Sequence, residues 1–213
     1  MDQVRASYDA VARRYAQEIA GELAAKPVDR ALYALFAELV GSGIVGDVGC
    51  GPGHVGAYLA GLGLRTVGVD ISPGMVEVAR ERYPELDFTI GSFAELPVPD
   101  AGWSGAVVPY SIIHLAPAER PAAWRELARV IAPGGWLLAA FHVEAADQPV
   151  GSTYQAHEWW GYPVELDFYY LDPEQVAAEL KENGFEVVAR TDREPWPDVE
   201  YQSRRSYLLG RRG

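Results

Sequence analysis

Residues 45–54 read Val-Gly-Asp-Val-Gly-Cys-Gly-Pro-Gly-His. They continue an apolar run, Ile44–Val48, that reads as a strand, and they lead into a helix-length stretch, Val55–Leu62, closed by Gly63. A tight strand-to-helix turn needs one glycine. Three at alternate positions permit positive φ and a close approach of backbone to a ligand. In open α/β sheets such turns lie at the carboxyl ends of strands, where ligands bind.

The same rhythm repeats along the chain. Arg65–Asp70 (RTVGVD) reads as a strand, and Ser72-Pro73 is a cap-then-proline helix start running to about Tyr83. Strands follow at Asp87–Ile90 and Ser104–Tyr110, the latter weakened at Pro109. A helix over Ala118–Ile131 stops at Pro133-Gly134-Gly135. Trp136–His142 (WLLAAFH) is apolar on both faces, as a strand between two helix layers should be. Residues 143–170 break the pattern. Asp172-Pro173 then starts a helix ending near Asn183-Gly184, and Phe185–Arg190 and Ser206–Leu209 read as a closing antiparallel pair. Upstream, Val4, Tyr8, Val11, Tyr15, Ile19 and Leu23 form one stripe of a helix over 2–24, and a second helix covers Asp29–Val40. The alternation predicts an α/β fold with a mostly parallel sheet and helices on both faces. No repeat or linker divides the 213 residues, so one domain is expected over 1–213, with 1–42 as N-terminal helices and 143–170 as an insert.

Composition narrows the partners. Hydrophobic residues make up 49% and charged residues 23%, which excludes a mainly disordered chain. Thirty acidic against 18 basic side chains give a net charge of -12, a field that repels a phosphate backbone, so nucleic acid is not an expected partner. Cys50 is the sole cysteine, so no internal disulfide forms, and widely spaced histidines beside one thiol do not predict a metal site. The N-terminus lacks a signal-peptide pattern and no run reaches the length of a membrane span. A soluble cytoplasmic protein, monomer or homodimer, is the expectation.

Gly51-Pro-Gly53-His-Val-Gly56 also fits the dinucleotide pattern G-x-G-x-x-G. Asp47 opposes that reading, because a carboxylate beside the turn repels a pyrophosphate and suits an ammonium. Asp70 closes the second strand about twenty residues on, where a carboxylate accepts ribose hydroxyls. The ligand inferred is a cationic nucleoside without phosphate.

These residues resemble the class I S-adenosylmethionine-dependent methyltransferases: Asp47-x-Gly49-x-Gly51-x-Gly53, then Gly68-Val-Asp70-Ile-Ser-Pro-Gly-Met75, Gly91-Ser-Phe-Ala-Glu-Leu-Pro97, Ala106–His114, Ala128–Leu138 and the N-terminal Tyr8-Asp-x-Val-Ala-x-Arg-Tyr15. The resemblance spans nearly the whole chain. It implies a Rossmann-like, doubly wound seven-stranded sheet with an antiparallel last strand. It also implies methyl transfer from S-adenosylmethionine, yielding S-adenosylhomocysteine, to an oxygen, nitrogen or carbon of a small molecule, secondary metabolites included. By the same resemblance Gly49, Gly51 and Gly53 pass the methionine part and Asp47 supports the loop and the ammonium contacts. Asp70 holds the ribose, Ile71 and Met75 pack on adenine, and Ser92 and Phe93 meet its edge. Tyr8, Tyr15 and Tyr110 also belong to the cofactor set. Two other classes are weighed: a nicotinamide-dependent oxidoreductase, opposed by Asp47, and a non-catalytic S-adenosylmethionine-binding protein.

A base is needed only when the nucleophile carries a proton, and histidine suits that near neutral pH. His114 after the fourth strand, His142 ending the fifth and His157 in the insert are the candidates. His54 reads as a cover for cofactor or solvent, and Glu194 and Arg204 as solvated charges. The insert is crowded with aromatics, and Tyr154, Trp159, Trp160 and Tyr169 are candidate walls of a substrate cap, with the indoles suited to cation–π contact with an amine.

Overall fold

A computed structural model describes all 213 residues. Seven strands form one sheet in the order β3-β2-β1-β4-β5-β9-β8. The ranges are β1 Ile44–Val48, β2 Arg65–Asp70, β3 Asp87–Ile90, β4 Trp103–Pro109, β5 Ile131–Ala145, β8 Phe185–Arg193 and β9 Ser203–Arg212. The first five run parallel, and β9 inserts antiparallel between β5 and β8. Strand order reverses between β1 and β4, which opens a crevice at their carboxyl ends.

The helices are α1 Asp2–Ile19, α2 Pro27–Val40, α3 His54–Gly61, α4 Pro73–Arg82, α5 Arg120–Val130 and α6 Pro173–Glu182. Trp124 and Leu127 of α5 and Val176 and Leu180 of α6 bury one face of the sheet, while Tyr33 and Phe36 of α2 and Leu59 of α3 bury the other. Local chemistry sets the starts. Ser72 caps α4 by accepting from the Met75 amide (3.0 Å), and Asp172 caps α6 by accepting from the Glu174 amide (2.9 Å), each followed by proline in the first turn. The expected first helix divides at Ala20-Gly21, and Glu22–Ala25 form a separate 3-10 turn.

The stretch 143–170 is not the irregular insert expected from the sequence. β5 itself continues to Ala145, and β6 Thr153–Trp159 pairs with β7 Tyr162–Tyr169 as a hairpin outside the main sheet. Trp160 and Gly161 form its two-residue turn with φ of 53° and 82°, the left-handed values a type I′ turn demands. Tryptophan in that conformation costs on the order of 1–2 kcal/mol relative to glycine. Its indole stacks on Trp159 at 4.6 Å and 13°. Val164, Leu166 and Ala156 of the hairpin pack on Val11, Ala12 and Ala16 of α1. Helix α1 is thus clamped between the hairpin and α4. Ser7 exchanges hydrogen bonds with the Glu165 backbone, Asp9 accepts from Ser72 Oγ (2.6 Å) and the Gly74 amide (2.8 Å), and Arg13 pairs with Glu77 and Glu81.

No helix is long and apolar enough to cross a membrane.

Candidate active site

Two cavities meet above the crevice. The smaller, about 90 Å³, lies at the carboxyl ends of β1 to β4 beneath α1. Its floor is backbone from Gly49 and Gly51, both at positive φ, and its single carboxylate is Asp70. Gly49 is required sterically: a Cβ there would stand 2.1 Å from Ser111 Cβ, because the loop after β4 closes directly on the turn. Asp70 Oδ2 accepts from the Gly51 amide (2.8 Å) and Oδ1 from the Ser72 amide (2.9 Å), so the acid braces the turn it faces. Burial pushes its pKa up to about 6. Ile71, Met75 and Phe93 supply an apolar wall, Ser92 lies beside Phe93, and Tyr8 and Tyr15 descend from α1. No lysine or arginine lines this cavity.

Two residues expected at the ligand do not line it. Asp47 is fully buried beneath the turn, where Oδ2 accepts from the Gly56 amide at 2.8 Å. Gly53, the residue that caps α3, has no side chain, so a carboxylate borrowed from β1 serves the helix N-terminus instead. Gly53 itself faces inward, and a Cβ there would lie 2.7 Å from the Phe88 ring.

Burial raises the Asp47 pKa to about 7, and Oδ1 has no partner. A carboxyl whose folded pKa exceeds its unfolded value of about 4 takes up a proton on folding within that window. Its contribution to stability therefore falls as pH rises from about 4 and is fully lost above about 7. Asp47→Asn should remove up to about 4 kcal/mol of that pH dependence. Melting curves of the two proteins from about pH 5 to 8 would converge at the acid end and separate at the alkaline end; parallel curves would count against it.

The larger cavity, about 860 Å³, is walled by Tyr154, Trp159, Trp160, Phe168 and Tyr170 on one side and by the segment 197–202 on the other. Tyr169 is not part of it, because alternation along β7 turns that ring against the main core. His157 is also misplaced by the sequence reading. It sits on the outer side of the hairpin, its side chain 68% exposed, paired with Glu165 at 3.0 Å. His142 does line the cavity, with Nδ1 2.6 Å from Ser203 Oγ, and burial, with Arg205 adding to it, lowers its pKa to about 3. His54 covers neither cavity; its Nε2 lies 3.4 Å from Glu22.

The polar end of this cavity escaped the sequence reading. Glu200, 2% exposed, accepts from Arg193, from the Trp196 amide (2.8 Å) and from Arg205 (3.2 Å), with Lys26 Nζ at 3.4 Å. Lys26 also pairs with Glu22 (2.6 Å), and Arg193 with Asp29 (2.8 Å). Arg204 and Glu194 are surface groups, 37% and 81% exposed. Period-two alternation along β9 was the available signal, since it puts Arg205, not Arg204, on the face of Tyr207 and Leu209.

Only Tyr8, Tyr15, Tyr110 and His114 line both cavities. His114 is buried, with Nδ1 2.8 Å from the Asp167 carbonyl oxygen and Nε2 2.7 Å from Tyr8 Oη. Burial pulls its pKa down to about 4, so it is neutral at pH 7. Tyr110, at φ 57°, has its hydroxyl 2.7 Å from that of Tyr207.

A family model for a methyltransferase domain matches residues 45–135. A demethylmenaquinone methyltransferase of Renibacterium salmoninarum is 30% identical over 214 residues, covering 95% of this chain and 87% of that protein. The chain belongs to the class I S-adenosylmethionine-dependent methyltransferases. A malonyl-[acyl-carrier protein] O-methyltransferase of Serratia marcescens is 33% identical over 113 residues, but the match spans 51% of the chain and 42% of that relative. The 1,6-didemethyltoxoflavin N1-methyltransferase of Burkholderia thailandensis shares the fold, with a TM-score of 0.73 at 19% identity over 99% of this methyltransferase and 88% of that chain.

The lining of the smaller cavity suits the family's cofactor in its chemistry, although at about 90 Å³ the cavity is below the roughly 300–1,000 Å³ usual for a small ligand. A lone carboxylate at the end of β2 suits a ribose diol, the apolar wall suits an adenine, and the absence of lysine and arginine side chains suits a nucleoside that carries a sulfonium and no phosphate. When bound, the cofactor supplies an electrophilic methyl group on a cationic sulfur that leaves as a neutral thioether. The nicotinamide reading is opposed by Asp47, whose carboxylate occupies the Gly56 amide at the α3 N-terminus, where a pyrophosphate would bind.

Proposed function

We propose that this methyltransferase transfers the methyl group to an oxygen, nitrogen or carbon nucleophile of a small ring-bearing molecule held in the larger cavity. The observation that carries this reading is the junction: two cavities, one with the fittings of a phosphate-free nucleoside and one walled by aromatic rings, communicate through four side chains. Asp70 would hold the ribose, Ile71, Met75, Ser92 and Phe93 the adenine, and Gly49 and Gly51 the methionine part. Tyr8, Tyr15 and Tyr110 would enclose the reacting centre. Tyr154, Trp159, Trp160, Phe168 and Tyr170 would bind the acceptor. A cavity of about 860 Å³ falls within the range of roughly 300–1,000 Å³ usual for small ligands. Two of the relatives named above act on demethylmenaquinone and 1,6-didemethyltoxoflavin, which supports a ring-bearing acceptor and agrees with a place in secondary metabolism, whereas the malonyl-[acyl-carrier protein] relative does not bear on the ring. The reading takes the chain as one domain, with 1–42 as a cover over the cofactor and 143–170 as the acceptor cap. It places the protein in the cytoplasm, acting on a free small molecule rather than on nucleic acid, as a monomer or homodimer.

The test is calorimetry with S-adenosylhomocysteine, followed by S-adenosylhomocysteine release across phenols, quinols and amines. Binding with turnover of at least one ring-bearing acceptor supports the proposal. Binding without turnover across all three classes points to the non-catalytic alternative.

A further inference from the structure

We infer that Tyr8 is the catalytic residue that receives the acceptor's proton, and that His114 is a positioning residue that acts through it. This rests on the methyl-transfer reading and goes beyond it, because it assigns the atom that takes the proton. Only four side chains stand where the two cavities join. Of these, Tyr15 packs edge-on against Tyr8, Trp159 and Trp160 and bonds no imidazole, and Tyr110 has its hydroxyl committed to Tyr207 (2.7 Å) and directed toward Asp29 (3.4 Å). His114 is 8% exposed as a residue, and its ring is boxed in by Phe168, at 4.8 Å between ring centres, and by Tyr8, at 5.3 Å. An acceptor could reach Nε2 only by displacing the Tyr8 hydroxyl that already occupies it.

Hydrogen-bond accounting fixes the direction. The Asp167 carbonyl can only accept, so the proton of the neutral imidazole is on Nδ1. Nε2 then carries a bare lone pair, and the Tyr8 phenol 2.7 Å away donates to it. The phenol oxygen keeps its own lone pairs for a further donor. Burial raises the Tyr8 pKa, with Tyr15 and Asp70 adding to it, so the phenol is protonated at rest and does not act as a phenolate. In the step inferred, the acceptor's O–H or N–H bond breaks and its electron pair stays on the nucleophile. The proton goes to Tyr8 Oη as the O–H bond of Tyr8 breaks and its proton goes to His114 Nε2. Tyr8 ends as it began, and His114 ends as imidazolium, held by the Asp167 carbonyl.

The experiment uses the full chain with S-adenosylhomocysteine, then S-adenosylmethionine with a phenol series. Calorimetry comes first: loss of S-adenosylhomocysteine binding by the wild type would sink the methyl-transfer reading itself. Imidazole nitrogen NMR of the complex should show His114 protonated at Nδ1 and bare at Nε2, with the Nε2 signal moving in Tyr8→Phe. A proton on Nε2 would reverse the direction of the relay and overturn it. In turnover at about pH 8, Tyr8→Phe should lose about 100-fold toward phenol, which stays protonated like tyrosine, and only about threefold toward 4-nitrophenol, which is largely ionised. His114→Gln should give the same pattern, and the double variant should be no worse than either single one, as for groups acting in series. Equal losses across the phenol series would overturn the proposal. If no phenol is methylated, the NMR result decides alone.

Discussion

Asp70→Ala should weaken S-adenosylhomocysteine binding on the order of 100-fold while leaving the protein folded. The carboxylate is the only one lining the smaller cavity, and a hydrogen bond to a charged partner is worth about 1.5–3 kcal/mol. Two ribose hydroxyls losing it together lose about 3 kcal/mol or more, and each 1.4 kcal/mol is tenfold. Stability should move less. The substitution strands the Gly51 and Ser72 amides, but it also removes a buried carboxylate whose ionisation burial opposes. The sign of the pH dependence follows. In the free protein the pKa is pushed up to about 6, and hydroxyl donors favour the ionised form, so the bound complex titrates lower. Wild-type affinity is then full above about pH 6 and declines as pH falls, by at most about tenfold per unit. The Ala variant should be weak and flat over the same range. Calorimetry at several pH values measures both; an Ala variant that binds like wild type would remove the ribose assignment.

Glu200→Ala should cost about 3–5 kcal/mol and lower the melting temperature on the order of 10 °C. Its carboxylate faces three cations, Arg193, Arg205 and Lys26, and also accepts from the Trp196 amide, with side-chain exposures of 2–8% throughout. Removing the shared anion leaves buried Arg205 with no carboxylate partner and Arg193 and Lys26 with one each, Asp29 and Glu22, which is more costly than losing an exposed pair. Glu194→Ala is the internal control. That side chain is 81% exposed and sits 4.0 Å from Arg204, so its loss should stay within about 0.5 kcal/mol. Equal melting temperatures for the two variants would show that the buried cluster is not what holds the 193–205 segment in place. Glu200→Gln separates charge from shape: it keeps an acceptor for the Trp196 amide and should fall between wild type and Ala.

The parallel half of the molecule was legible because its signals are local. Each strand there is a short apolar run, each helix has a capping residue or a glycine stop, and the turn at 49–53 announces where a ligand sits. What escaped depends on contacts between distant segments. Asp47 reads as a ligand group because it borders the glycine turn, yet the missing side chain at Gly53 draws it to the α3 amides. His157 and Tyr169 lie within an aromatic cluster that suggests a cap, but hairpin alternation turns one to solvent and the other to the core. That alternation was visible: Val164, Leu166 and Phe168 take turns with Glu165 and Asp167 around a Trp-Gly turn. The buried cluster around Glu200 had the least local signal, since its members come from residues 22–29 and 193–207 and share no spacing rule.

Most walls of the larger cavity come from α1, the Glu22–Lys26 turn, the β6–β7 hairpin and the segment before β9, outside the stretch 45–135 matched by the family model, which contributes Tyr110, Ile113 and His114. On the function proposed above, cofactor grip and acceptor choice would rest largely on different parts of one chain, joined at Tyr8, Tyr15, Tyr110 and His114. Mutation can redraw the hairpin or the 197–202 segment while the Asp70 end keeps its hold, so a new acceptor can be acquired without passing through an intermediate that has lost the methyl donor. A chimera carrying a relative's residues 153–169 is the corresponding engineering route, with Ala156, Val164 and Leu166 retained because they pack on the α1 helix that covers the donor site.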